Sequence, residues 1–331
     1  MIDALRARIT GAWRVLIGAV ATEAISFSTA RGHIAEARTV IDGRFELEKL
    51  AGRGGMATVW RAHDLETGAT VAVKLLAGGD DEDLCRFALE ADLLESLAHP
   101  GVAGYVARGE TDDGAPYLAM EWLEGEDLGQ RLRRGRLTVD EAVALVAAVS
   151  ETLAVAHRRG VVHRDIKPGN VFCERGAARP RLLDFGVARA DSAPAATMAG
   201  IPVGTPGYMA PEQIRGERTL DARADVFALG CVLYECLTGV RPFARKDVVG
   251  VLLEALHSEP APVGELVSDV PAALEELVHR MLSKRAEERP ADAGAVAREL
   301  RALPRAARYG CRYLQLLRLR AAELAAADVA A

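Results

Sequence analysis

His163-Arg164-Asp165-Ile166-Lys167-Pro168-Gly169-Asn170, followed after a short gap by Asp184-Phe185-Gly186, is the stretch on which the fold is decided. The first part holds a carboxylate, a lysine and a carboxamide within six residues, and the second adds another carboxylate. Oxygen donors of this kind suit a hard divalent cation, and a lysine among them suits a phosphate. Asp and Asn are also ordinary loop residues, and Asp-Phe-Gly alone is any turn. The two stretches in this order, with Lys167 between the acidic positions, leave the loop-only reading little room.

Composition sets the outer bounds. The chain has 331 residues, half of them hydrophobic and 27% charged. This is the make-up of a globular protein large enough for one two-lobed domain or two ordinary ones. A formal net charge of −6 argues against nucleic acid as a partner. Cys85, Cys173, Cys231, Cys236 and Cys311 are odd in number and form no Cys-x-x-Cys pair. They read as small buried hydrophobes rather than as a disulfide framework or a zinc site. No stretch approaches the ~18 apolar residues of a membrane span. Val15–Ala21 is short and flanked by Arg14 and Glu23, so no transmembrane segment is expected.

The pattern changes along the chain. In residues 1–42, Leu5, Ile9, Trp13, Leu16 and Val20 recur at helical spacing with arginines among them, which predicts an amphipathic helix over 2–21. Three placements stay open for it: on the body of the protein, on an anionic membrane, or as an extension ahead of a later start. From Arg44 short alternating runs predict strands at Phe45–Leu50, Thr58–Ala62, Thr70–Lys74, Ala103–Ala107 and Tyr117–Trp122. Asp80–Asp83 open a helix whose buried face is expected to hold Leu84, Phe87, Ala91, Leu94 and either Leu97 or Ala98. Beyond Gly125 the chain reads as helical, with segments at Val139–Arg159, Ala224–Thr238, Val248–Leu256, Ala272–Leu282 and Asp292–Ala302. Ala224–Thr238 is apolar nearly all round and belongs in the core. The tail 304–331 is again amphipathic over 309–327, and both terminal helices are expected to cover their apolar faces on the lobes or in a homodimer.

Together the motifs resemble the catalytic core of the eukaryotic-type serine/threonine protein kinases of bacteria. The resemblance covers residues 43–303 and implies a bilobal α+β fold. A small N-terminal antiparallel sheet with one helix (43–122) is followed by a larger, mostly helical lobe (123–303). Gly52, Arg53, Gly54, Gly55, Ala57 and Val59 match the family's phosphate loop, except that Ala57 replaces the third glycine. Glycines there let backbone N–H groups approach phosphates. Lys74 closes the strand after Ala72 and is implied to reach the α- and β-phosphates, held by Glu90 on the following helix.

The same resemblance makes Met120, Glu121 and Leu123 the hinge around adenine, Asp127 a ribose partner and Phe172 part of the nucleotide pocket. Asp165 is implied to receive the acceptor hydroxyl's proton, Asn170 and Asp184 to hold Mg²⁺, and Lys167 to neutralise charge on the moving phosphoryl group of ATP. Thr205 is implied to bridge Asp165 and Lys167, Asp225 to anchor the catalytic loop, and Glu212 to pair with Arg289. Lys167 and Gly204–Glu212 match the serine/threonine branch, so protein Ser/Thr hydroxyls are the expected acceptors. Thr197 matches a phosphorylated position of the bacterial relatives, and Arg86, Arg164 and Arg189 are placed to receive its phosphate. A scaffold without catalysis would have lost one of Lys74, Asp165, Asn170 and Asp184, and all four are present. An enzyme that needs ATP is expected in the cytoplasm.

Overall fold

The structure is a computed structural model and describes residues 39–304 apart from 54–56, 77, 79, 175–179, 186–204 and 218. The expected terminal helices, together with Gly54, Gly55, Gly186, Arg189, Thr197 and Cys311, lie outside the described residues.

Val40–Ile41 (β1), Phe45–Arg53 (β2), Ala57–Asp64 (β3), Thr70–Leu76 (β4), Tyr105–Glu110 (β5) and Pro116–Glu121 (β6) form an antiparallel sheet in the order β1-β2-β3-β4-β6-β5. In β2, Phe45 and Leu47 point inward while Glu48 faces solvent. With Trp60, Val71, Val73 and Tyr117 they make the core of this lobe. The sheet begins before residue 43, because Ile41 fills a core position and Thr39 O accepts the Leu47 N–H at 2.9 Å.

Helix α1, Asp81–Ser96, lies between β4 and β5 in sequence. Asp80 Oδ1 accepts the N–H of Asp83 at 3.0 Å, satisfying a donor that the helix leaves open. Phe87 and Ala91 bury against Leu76 and Leu118. Leu84 was expected on that face but is exposed: it sits in the first turn, and the sheet contact starts one turn later at Phe87. Cys85, beside it, is exposed as well, so the buried reading of the cysteines fails there and holds for Cys231 and Cys236.

The second lobe contains Leu128–Leu132 (α2), Val139–His157 (α3), Pro211–Arg215 (α4), Ala222–Thr238 (α5), Val248–His257 (α6), Val263–Leu266 (α7), Ala272–Met281 (α8) and Ala293–Ala302 (α9). Thr138 and Glu141 close a reciprocal cap at the start of α3, and Gly160 takes φ +75° after its end. Helix α5 runs through the centre, buried from Ala224 to Leu237 except at Glu235, with α3, α8 and α9 packed around it. A small sheet of Gly125–Asp127 (β7), Val171–Glu174 (β8) and Arg181–Leu182 (β9) lies at the junction of the lobes. Its strands are too short to show alternation in the sequence. Among the described residues no helix is long and apolar enough to cross a membrane.

Candidate active site

The loop 162–167 and the turn Pro168–Asn170 lead into β8, and Leu183–Phe185 leaves β9, so the β8–β9 pair sets the two acidic loops side by side. Leu183 N–H donates to Asn170 O at 2.9 Å and ties one loop to the other. Asp165 is the hub of the first. Lys167 Nζ donates to its Oδ2 at 2.8 Å, and Thr205 Oγ1 donates to its Oδ1 at 3.0 Å. Lys167 Nζ also donates to Thr205 Oγ1 at 3.0 Å, which closes a triangle of acid, base and hydroxyl. Asn170 Nδ2 donates to Asp165 O at 2.8 Å and Oδ2 at 3.2 Å, leaving its Oδ1 as the remaining acceptor of that amide.

On the facing lobe Lys74, paired with Val59 and Leu118 across the sheet, extends its Nζ to Glu90 Oε1 at 2.6 Å. The same Nζ lies 3.3 Å from Asp184 Oδ1. Burial opposes the ammonium, but the charges of Asp184 and Glu90 outweigh it and hold the lysine protonated well above its usual range. For Glu90 burial wins, and its carboxyl is pushed up despite Lys74.

Two residues of the site carry backbone that side chains rarely adopt: Arg164 at φ +65° and Asp184 at φ +47°. Arg164 is held there by Asp225, whose Oδ1 accepts the Arg164 N–H at 2.8 Å while its Oδ2 accepts the His163 N–H at 2.7 Å. Gln213 Nε2 adds a bond to Arg164 O at 2.9 Å. Asp225 is 1% exposed and also meets His157 Nε2 at 2.9 Å. Burial pushes the His163 imidazole down, so it stays neutral beneath the loop, with its ring 4.8 Å from that of Phe185. Glu212 and Arg289 form a buried fork at 2.6 and 2.9 Å, and Arg289 also bonds Ser283 O and Arg223 O.

The hinge-side residues gather at the end of β6. Met120 faces Ala72 across β4–β6, and Glu121 N–H donates to Gly104 O at 2.7 Å. Glu121 Oε1 accepts from Arg181 Nη2 at 2.9 Å, and Arg181 also holds Glu174 and Val102 O. Leu123 follows, half-buried, and Phe172 pairs with Asp127 and Arg181 in the small sheet. Asp127 was expected to meet a ribose, yet its Oδ1 accepts the Gln130 N–H at 2.7 Å as the cap of α2, which leaves the other oxygen for such a contact. Gly52 and Arg53 end β2 opposite Val59 and Thr58, and Ala57 begins β3. Arg86 lies on α1 one turn before Glu90, near Asp83.

Sequence reasoning missed His157, Gln213 and Arg181, whose partners stand 68, 49 and 60 residues away. No local pattern marks such pairs.

A hard cation fits the donor set. Asn170 Oδ1 and the exposed Asp184 carboxylate are oxygen donors on adjoining loops. Among the described residues no cluster of three or more His, Cys, Asp and Glu side chains is arranged for a metal, so a cation here would complete its shell from water or phosphate.

Comparison with known proteins places this fold and site in a class. The protein kinase domain family matches residues 45–300, and the chain belongs to that family. It is 39% identical over 273 residues to the serine/threonine-protein kinase pkn3 of Myxococcus xanthus, covering 78% of this chain and 50% of that one. It is 36% identical over 258 residues to the serine/threonine-protein kinase PknB of Mycolicibacterium smegmatis, covering 75% and 41%. The chain therefore spans half or less of the length of these relatives. The crystal structure of the Mycobacterium tuberculosis PknI kinase domain superposes with a TM-score of 0.62 at 26% identity, over 81% of this chain and 98% of that one. Bilobal architecture, antiparallel sheet and helical second lobe are those of a bacterial eukaryotic-type kinase.

Proposed function

We propose that the protein transfers the γ-phosphoryl group of ATP to Ser/Thr hydroxyls of protein substrates. The observation that carries this reading is the reach of Lys74 to both Glu90 and Asp184, at 2.6 and 3.3 Å, which joins the nucleotide-facing sheet to the loop beside Asn170. Asp165 orients the acceptor hydroxyl and takes its proton as the oxygen attacks. A carboxylate of ordinary basicity suffices, because that proton becomes acidic as the bond forms. Lys167, bound to Asp165 at 2.8 Å, lies ready to offset charge on the transferred group. Lys74, pinned by Glu90, orients the α- and β-phosphates at a reduced entropic cost. Asn170 and Asp184 would hold Mg²⁺, which supplies positive charge to the phosphate oxygens.

Gly52, Arg53, Gly54, Gly55, Ala57 and Val59 cover the phosphates. Ala72, Met120, Glu121, Leu123 and Phe172 line the base, and Asp127 meets the ribose. The catalytic unit is taken as 43–303, extended at its start to the strand at Val40, and it works where ATP is held, inside the cell. Phosphate on Thr197, received by Arg86, Arg164 and Arg189, would raise activity, and mass spectrometry with Thr197→Ala tests it. The reading as a whole is tested by incubation with labelled ATP and Mg²⁺. Transfer by the wild type and none by Asp165→Asn is expected, and no transfer by either overturns it.

A further inference from the structure

We propose that Arg241 is a specificity-determining residue of the acceptor groove and selects Ser/Thr sites flanked by acidic residues. This deepens the kinase reading above and rests on it. The turn Thr205–Tyr208 is fixed to the acceptor end of the site, because Thr205 Oγ1 donates to Asp165 Oδ1 at 3.0 Å. A substrate chain delivering a hydroxyl to Asp165 advances about 3.3 Å per extended residue. Its flanking side chains therefore fall within reach of this turn and of whatever lies against it.

Arg241 lies against it. Gly207 adopts φ +97°, and a Cβ placed on it would stand 3.5 Å from Arg241 Nη1, 3.6 Å from Phe243 O and 3.7 Å from Val251 Cγ1. With no side chain at 207, the guanidinium can rest beside the turn's backbone, and Arg241 remains exposed there. The nearby carboxylate is already engaged by Tyr208. Glu235 Oε2 accepts the Tyr208 hydroxyl at 2.6 Å, and burial pushes the Glu235 carboxyl up while Arg241 works against that rise. The segment following Arg241 adds Arg245 and Lys246 to one acidic residue, Asp247. Arg245 is bound by Glu254 at 2.6 Å, and Asp247 Oδ1 caps α6 by accepting the Gly250 N–H at 2.7 Å. Exposed positive charge therefore centres on Arg241 and Lys246, and complementary charge across such a surface gives specificity.

The test uses the full chain with three peptides that differ only in whether Glu, Gln or Lys flanks a central Thr. Within each protein the ratio of kcat/KM for the Glu peptide to that for the Lys peptide is read. The wild type is expected to favour the Glu peptide by roughly tenfold, with the preference shrinking at high salt. Arg241→Gln should bring the ratio near one, and Arg241→Glu should invert it. Transfer with equal kcat/KM for the two peptides, or a ratio unchanged in Arg241→Glu, overturns this proposal alone. No transfer from ATP to any peptide or to the chain itself overturns the kinase reading with it.

Discussion

Thr205 Oγ1 donates to Asp165 Oδ1 at 3.0 Å and accepts from Lys167 Nζ at the same distance, so one hydroxyl braces two side chains that also meet directly at 2.8 Å. Without it, Asp165 loses one of its orienting donors and Lys167 loses one of its two acceptors. A hydrogen bond to a charged group contributes about 1.5–3 kcal/mol. Thr205→Val is therefore expected to lower kcat by ~10–100-fold, with KM for ATP little changed. Thr205→Ser should recover most of the loss. Steady-state kinetics decide it, and a wild-type kcat in Thr205→Val counts against the role.

The contact of Lys74 with both Glu90 and Asp184 makes a second set of expectations. Asp184→Asn keeps size and shape but removes the charge that would hold Mg²⁺. A loss of at least ~10³-fold in transfer is expected, with the far-UV circular dichroism of the wild type retained. Lys74→Met should be comparably inactive. Nucleotide binding that keeps its full Mg²⁺ dependence in Asp184→Asn would show that the cation is held elsewhere.

The parts of the site that the sequence makes legible are those whose chemistry is compact along the chain. Asp165, Lys167 and Asn170 lie within six residues of one another, and their contacts follow from the tight turn at Pro168–Asn170. The long helices are legible for a similar reason: α3 has a cap box at one end and a glycine at the other. Pairings across the fold leave no such trace. His157 meets Asp225 only when α3 packs on α5, and Arg181 meets Glu121 only when the two lobes come together. Leu84 fails in another way. Its spacing fits the apolar face of α1, but the sheet does not extend beneath the first turn. Asp127 shows a third: one carboxylate can be cap and ligand, and spacing alone does not reveal that a helix start has claimed an oxygen.

Glu212 and Arg289 are joined by two bonds in the core, with the arginine side chain wholly buried and its guanidinium 5.0 Å from the Phe227 ring. Removing one partner strands the other charge. Arg289→Met is expected to destabilise by about 3–5 kcal/mol, read as a lower urea midpoint with an unchanged slope. Arg289→Lys should rescue little, because an ammonium cannot span both oxygens and two carbonyls as the planar fork does. A midpoint within error of wild type in Arg289→Met would mean that the pair contributes nothing net.

Lys284 supplies the pH-dependent case. Its Nζ lies 3.9 Å from the centroid of Phe243 and 5.7 Å from that of Phe227, buried and without a hydrogen-bond partner. Burial pulls the amine down to about 8, although Glu259 and Cys231 act the other way. The folded state thus binds fewer protons than the unfolded chain, whose lysines titrate near ~10.4. Lys284 therefore costs stability at and below pH 8, and the cost fades as pH rises toward the unfolded value. Lys284→Met keeps the stem against the rings and removes the charge. At pH 7 it should stabilise by about 1 kcal/mol, after allowing for the side chain's partial exposure and the cation–π attraction given up. At pH 10 the advantage should have largely vanished. Urea denaturation of both proteins at the two pH values measures the difference. A variant less stable than wild type at pH 7, or a difference independent of pH, would mean that the rings hold the ammonium in its charged form.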